Sequence, residues 1–362
     1  MRGTWFGPSG RSWSTAWRFR RVDEMGEPFP MVEAALRGVL EELGSVALVV
    51  NDPPWSGLAG SLPRPASVTQ AWNMDIAHLE SVAAGEPEGD FVVGLGGGTA
   101  MDTAKFLAWK SGRPLVQVPS ITSVDAGFTD AVGVRVDGNV RYVGKVRPER
   151  VILDVDLVRS APPHLNRAGI GDILSCAVGL HDWRLAAAGG IGQPWSEPLA
   201  LLGARLLDDL SSMRGEIAAV SPDGVRFLAG SYRAIGAACA AAGHSRFEEG
   251  SEHFWAYAYE WLTGAHPVHG EIISFAVVVM SCIQGNDPGR WRDLVADCAV
   301  RAHPDDIGIS REDFDRTFSE LKSYVRRQEL DHSIIDEVDL DRGAVDDAWE
   351  FVCAIPRRGE KS

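Results

Sequence analysis

Residues 91–105 read FVVGLGGGTAMDTAK: an apolar, β-prone run, three consecutive glycines, then a helical pattern. A strand that delivers residues without side chains to a helix N-terminus leaves amides unpaired at the positive end of the helix dipole. A phosphate is the natural occupant of such a loop. The common dinucleotide fingerprint G-x-G-x-x-G requires a third glycine at position 99, where the chain has Thr99. A P-loop fails as well, because no Gly-Lys-Ser/Thr follows the cluster at the required spacing. A tight turn alone has no need of three glycines in a row. Gly96, Gly97, Gly98 and Thr99, leading into a helix that carries Asp102 and Lys105, are therefore the candidate anion seat.

Outward from this loop, helical and strand patterns alternate from about 29 to 160. Helical spacing covers 31–43 and 71–85, and β-branched or buried apolar runs cover 45–52, 115–120 and 148–156. Two short alternating runs within 132–144 flank Asp137-Gly138, a hairpin turn signal. Strands alternating with helices predict a parallel sheet covered on both faces. After 160 the strand signals fade. Helical patterns fill 164–188, 197–214, 223–243, 248–263, 270–284, 289–302, 310–328 and 343–354, separated by Gly, Pro or Asp/Ser punctuation. The expected organisation is an α/β nucleotide-binding domain over 1–160 and an all-α domain over 161–362.

Bulk properties narrow the function. The chain has 362 residues, 45% of them hydrophobic and 23% charged, as a globular protein does. A formal charge of −15 argues against a nucleic-acid partner, which needs a basic face. No apolar run approaches the ~20 residues of a membrane span. The five cysteines are scattered and lack a C-x-x-C pair, which suits reduced thiols and a cytoplasmic location. Residues 1–25 are arginine-rich with three tryptophans and have no apolar h-region, so they are expected to be an extension.

The helical half holds the other chemistry. GIGDILS (169–175) places Asp172 at a helix start, GSEHFWAYAYEW (250–261) places His253 on a helix, and HPVHGE (266–271) places His269 before another. One carboxylate and two imidazoles suit a divalent metal with a position left open for substrate. Taken singly, each has a plainer role, as a helix cap or a packed histidine.

In combination, GGGTAMDTAK (96–105), VPSITSVDAG (118–127), AGIGDILSCAVGLHDWRLA (168–186), GSEH (250–253) and HGE (269–271) resemble the iron-containing alcohol dehydrogenase and dehydroquinate synthase-like superfamily. Pro162-Pro163-x-Leu-x-Arg-Ala-Gly-x-Gly-Asp172 and Asp182-Trp183 are most similar to its glycerol-1-phosphate dehydrogenase branch. The resemblance implies a Rossmann-like nucleotide domain, a helical metal domain and an active site between them. It implies NAD or NADP on Gly96, Gly97, Gly98 and Thr99, with Asp102, Ser120, Thr122, Ser123 and Thr129 along the cofactor and Asp52 at a ribose. It implies one divalent ion, zinc before iron, on Asp172, His253 and His269, and catalytic roles for Asp125, Asp172 and Tyr257. The implied chemistry is interconversion of an alcohol and a ketone on a small polyol, a ketose or their phosphate. A homo-oligomer would fit such an enzyme.

The pattern also departs from that branch. Ser123-Val124-Asp125-Ala126 stands where S-H-D-G is usual, and Tyr257 stands where a second histidine is usual. An arginine common soon after the aspartate is missing. These changes leave the metal chemistry intact and the substrate open. Arg246 is either an anion seat or the partner of Glu248 or Glu249. Two other functions share these motifs: a sugar-phosphate cyclase of the dehydroquinate synthase type, and a catalytically silent nucleotide-binding homologue.

Overall fold

The computed structural model describes residues 28–359; the arginine-rich extension lies outside them. The first half forms a six-stranded sheet in the order β1-β8-β5-β4-β2-β3, every pair parallel. The strands are β1 (Met31–Glu33), β2 (Val46–Val50), β3 (Ser67–Gln70), β4 (Phe91–Gly96), β5 (Leu115–Pro119) and β8 (Arg150–Leu153). β6 (Ala131–Val136) and β7 (Asn139–Lys145) form a separate antiparallel hairpin. Asp137 and Gly138 both take positive φ at its turn, 50° and 78°, as a type I′ connection requires. Helices α1 (Leu36–Leu43), α2 (Pro54–Leu58), α3 (Ile76–Ala84) and α4 (Gly98–Ser111) link the strands. β2, β4 and β5 are fully buried apart from Phe91, which is why they read as continuous apolar runs instead of alternating ones.

The chain adds β3 on one side of β2 and β4 on the other. The C-terminal ends of β2 and β4 thus flank a topological switch point, where open α/β sheets bind ligands. The glycine loop leaves β4 there.

The second half is helical: α5 (Val155–Ser160), α6 (Pro163–Arg167), α7 (Gly171–Leu174), α8 (Cys176–Ala188), α9 (Glu197–Ala218), α10 (Pro222–Ala242), α11 (Ser251–Thr263), α12 (His269–Gln284), α13 (Pro288–Asp297), α14 (Pro304–Ile307), α15 (Arg311–Gln328), α16 (Ile334–Glu337) and α17 (Arg342–Cys353). One apolar core fills this half, built around Trp183, Trp255, Phe275 and Phe314, while two smaller cores cover the faces of the sheet. α12 is at its centre, with an unbroken buried run from Gly270 to Ser281.

The expected helices differ in places: the one over 289–302 stops at Asp297, the one over 197–214 runs on to Ala218, and three differ more. The 31–43 helix begins only at Leu36, because Met31–Glu33 pair with β8 at the open sheet edge. The 71–85 helix begins at Ile76, where the Asp75 carboxylate caps it by accepting from the Ala77 amide at 2.9 Å. The 164–188 helix is broken by a 3-10 turn at Ala168–Ile170, and that break sets the direction of Asp172. α2, β3 and the short α5, α14 and α16 carry no clear sequence pattern and were not expected. All five cysteines are free thiols, and no helix among the described residues is long and apolar enough to cross a membrane.

Candidate active site

A cleft of about 880 Å³ separates the sheet's C-terminal edge from the helical half. Its walls are the first turn of α4, the loop after β5, the β6–β7 hairpin, α7, the 243–249 loop, α11 and the start of α12.

The glycine loop is braced from beneath. The Gly97 amide donates to Asn51 Oδ1 at 3.0 Å, and Asn51 Nδ2 donates to the Ala71 carbonyl at 2.6 Å. Gly96 takes φ 156°, and a Cβ there would stand 2.4 Å from Asn51 Oδ1, so glycine is required. No side chain caps α4. Gly98 and Thr99 line the cleft, and a Cβ on Gly98 would stand 2.9 Å from Val124. An uncapped helix start with a backbone left bare is a fitting seat for a pyrophosphate.

Asp172, His253 and His269 come together, with one ligand atom of each within 4.8 Å of the others. Asp172 is the second residue of α7, His253 is in the first turn of α11, and His269 is the first residue of α12. The close approach of the α7 and α12 starts depends on glycine: a Cβ on Gly171 would lie 2.7 Å from the Gly270 Cα. Asp172 Oδ1 is 3.0 Å from His269 Nε2, and Asp172 Oδ2 accepts from the Asp125 amide at 2.8 Å. His253 Nδ1 lies 2.8 Å from Oε1 of the fully buried Glu252, which leaves Nε2 to face a cation. Carboxylate-held imidazoles of this kind are the usual second layer of a metal site.

The charges agree with a cation seat. Burial alone would raise the Asp172 carboxyl, but the His269 charge and hydrogen bond hold it below the ordinary value. Burial would lower His253, yet the Glu252 hydrogen bond and the surrounding carboxylates push it up to about 10. Asp125 is pushed up to about 7 by burial and then by the Asp172 charge. The carboxylates around His253 make its imidazole more basic, and what favours a proton on that ring favours a bound cation in its place.

The other expected site residues divide. Asp102, Ser123, Asp125, Thr129 and Tyr257 line the cleft. Asp102 pairs with the buried Lys105 at 2.7 Å, and that lysine also donates to Thr129 Oγ1 at 2.9 Å. Ser120 is buried, its amide bonded to the Gly96 carbonyl. Thr122 is not brought to the cleft: its amide and hydroxyl bond the buried Asn166, so it joins the β5 loop to α6. Asp52 is occupied with the Ser56 amide and hydroxyl, at 2.8 and 2.5 Å, at the start of α2. Arg246 is buried behind the wall, donating to the His332 carbonyl at 2.7 Å, and pairs with neither Glu248 nor Glu249. Tyr257, one turn along α11 from His253, donates its hydroxyl to Glu249 at 2.7 Å.

Asn51, Glu252 and Tyr142, the last of which lines the cleft, were not singled out from sequence, and Glu248 and Glu249 were named only as partners for Arg246. Only Glu252, adjacent to His253, carried a local signal. The others are ordinary residue types whose role comes from convergence.

Comparison with known proteins gives the family. Residues 59–162 match the model of a family described as iron-containing alcohol dehydrogenase. A glycerol-1-phosphate dehydrogenase [NAD(P)+] of Hyperthermus butylicus is 31% identical over 298 residues, covering 77% of this chain and 83% of that protein. One from Thermofilum pendens is 30% identical, covering 87% and 91%. Among solved structures, glycerol dehydrogenase from Schizosaccharomyces pombe superposes with a TM-score of 0.67 at 19% identity, covering 91% of this chain and 90% of that one. The chain belongs to the iron-containing alcohol dehydrogenase family, on the branch that includes the glycerol-1-phosphate dehydrogenases.

Proposed function

We propose that this chain is a metal-dependent NAD(P)(H) oxidoreductase that interconverts a secondary alcohol and a ketone on a small polyol or its phosphate. The convergence of Asp172, His253 and His269 on the wall opposite the bare α4 start carries this reading. Bound NAD(P)+ would be the hydride acceptor, so that alcohol and NAD(P)+ would balance as ketone, NAD(P)H and a proton. When bound, the cation supplies Lewis acidity and the nicotinamide accepts or returns the hydride.

The chain's own residues do the rest. Gly98 and Thr99 hold the pyrophosphate, with Ser123 and Thr129 further along the cofactor. Asp172, His253 and His269 hold the cation, and Glu252 fixes the His253 ring. Asp125, beside Asp172, orients a substrate hydroxyl from its carboxylate. Tyr257 is committed to Glu249, so we place it at the substrate's far end and not in a proton relay. One carboxylate and two imidazoles accept Zn2+ or Fe2+; zinc is our assignment, and metal analysis of the purified protein decides it.

The test is nicotinamide absorbance with zinc-loaded protein, NADH or NADPH, and dihydroxyacetone or its phosphate. Stoichiometric loss of absorbance with alcohol formation is expected. A cyclase recycles its bound cofactor and shows no net change, and a silent homologue shows no product with any ketone.

A further inference from the structure

The end of the cleft beyond the metal ligands has a composition that the relatives' phosphate does not suit. Each lysine and arginine among the described lining residues already faces a carboxylate: Lys105 on Asp102, Arg135 on Glu260, and the outer Lys145 3.7 Å from Asp130. Arg246, the cation nearest in sequence, is sealed behind the wall.

Carboxylates are left over. Asp125, Glu248 and Glu249 line the cleft and form no ion pair among the described residues. Glu249 receives Ser245 Oγ at 2.5 Å and Tyr257 Oη at 2.7 Å, so its charge is fixed in place. Glu248 is nearly buried and receives only the Cys239 thiol, at 3.5 Å; burial and then the Asp125 charge push its carboxyl well above the ordinary range, so this wall already resists one negative charge and would resist another. The Asp125 side chain receives no hydrogen bond from the described residues, its contact to Asp172 running through its backbone amide. The wall therefore offers acceptors with free capacity and, among its described residues, no lysine or arginine free to meet an anion, while the lining His266 already faces Glu260 at 3.9 Å. A phosphate is itself an acceptor with negative charge, and like charge brought together in a desolvated site is strongly unfavourable. A hydroxyl or an ammonium complements such a wall.

Resting on the oxidoreductase reading above, we infer that Asp125, Glu248 and Glu249 make this site select an unphosphorylated substrate, a polyol or ketone whose far end is a hydrogen-bond donor without negative charge. The donor is a hydroxyl or an ammonium, and rejection of phosphate is common to both.

The test compares dihydroxyacetone, dihydroxyacetone phosphate and 1-amino-3-hydroxyacetone with the zinc- and NADH-loaded full-length protein, by kcat/KM and by calorimetric binding to the zinc- and NAD+-loaded form. The expected result is a preference of about 100-fold or more for the uncharged or amino ketone over the phosphate. The amino ketone exceeding dihydroxyacetone identifies an ammonium site, and the reverse a hydroxyl site. Preference for the phosphate in either measurement overturns the inference while leaving the oxidoreductase reading intact. Reduction of none of the three counts against that reading instead, and the binding preference still decides the inference. Glu248→Gln, which keeps shape and removes the ionisable group, is expected to shift the ratio of phosphate to neutral ketone by about tenfold toward phosphate. An unchanged ratio in this variant overturns the part assigned to Glu248.

Discussion

Glu252→Gln isolates what the carboxylate behind His253 contributes. Glu252 is fully buried, and its Oε1 accepts both from His253 Nδ1 at 2.8 Å and from the Gly250 amide at 2.9 Å. A glutamine oxygen keeps both bonds. Its new NH2 falls where Oε2 now has no partner, on the side of the Asp182 carboxylate. The fold is therefore expected to persist, with the apoprotein's Tm close to wild type. The lost quantity is the charge that makes His253 a better ligand. Partners of metal-bound imidazoles are worth about 10- to 100-fold in metal affinity, equal to about 1.4 to 2.7 kcal/mol. A hydrogen bond to a charged group, worth about 1.5–3 kcal/mol net, brackets the same range independently. Zinc affinity measured by competition with a chromogenic chelator should fall by that factor. An affinity within about twofold of wild type would refute the placement of His253 as a carboxylate-held ligand.

Further outcomes follow from the same geometry. Gly270→Ala would bring a Cβ to 1.9 Å from the Ala168 carbonyl and 2.8 Å from the Ser123 carbonyl. The start of α12 must then move and carry His269 with it, so zinc affinity should fall by about 100-fold or more, read by the same competition. Gly98→Ala places a methyl group 2.9 Å from Val124 at the proposed pyrophosphate seat; NADH binding by fluorescence should weaken by about tenfold with zinc affinity unchanged. Arg135 on the hairpin and Glu260 on α11 tie the two halves together. Burial alone would raise the Glu260 carboxyl, but His266 and then Arg135 hold it below the ordinary value. A lowered carboxyl stabilises the fold above the unfolded-state value near ~4.3 and loses that contribution as pH falls through its lower folded value. Arg135→Met should cost about 1–3 kcal/mol in urea unfolding at pH near ~6, and the gap to wild type should close as pH drops below ~4.

The strands and long helices were legible because burial writes itself into composition: β2, β4 and β5 have no polar face to show, and α15 shows one plainly. What was not legible depended on distant partners. Met31–Glu33 follow helical spacing and become a strand because the β8 edge is open beside them. β3, with alternate residues exposed on the other edge, has too short a pattern to separate from loop. The convergence of Asp172, His253 and His269 was legible because few residue types ligate zinc or iron, and each has a helix start nearby. Thr122 and Asp52 were placed along the cofactor by motif position, yet their hydrogen bonds go to Asn166 and Ser56. A polar residue near a motif has as many structural uses as ligand uses, and the sequence pattern does not distinguish them.

Two of the departures from the branch pattern, Val124 and Tyr257, line one cleft. Val124 presses on the glycine loop, close enough that Gly98 must stay bare. Tyr257 sits a turn beyond His253 with its hydroxyl on Glu249, which Ser245 also holds. A histidine at 257 could present a cationic donor to an anionic substrate; a tyrosine instead donates to a neighbouring carboxylate and fixes that negative charge in the wall. The change at 257 and the presence of Glu249 thus act as a unit, although eight residues separate them in sequence. Restoring one side alone should not restore phosphate use. Tyr257→His leaves Glu249 and Glu248 facing the ligand, whereas the pair Tyr257→His with Glu249→Gln removes the repulsion as well. The double variant should therefore gain in kcat/KM for dihydroxyacetone phosphate by more than the product of the single changes. Strict additivity would mean that the tyrosine and the glutamate act separately and that the wall is not the specificity device inferred from it.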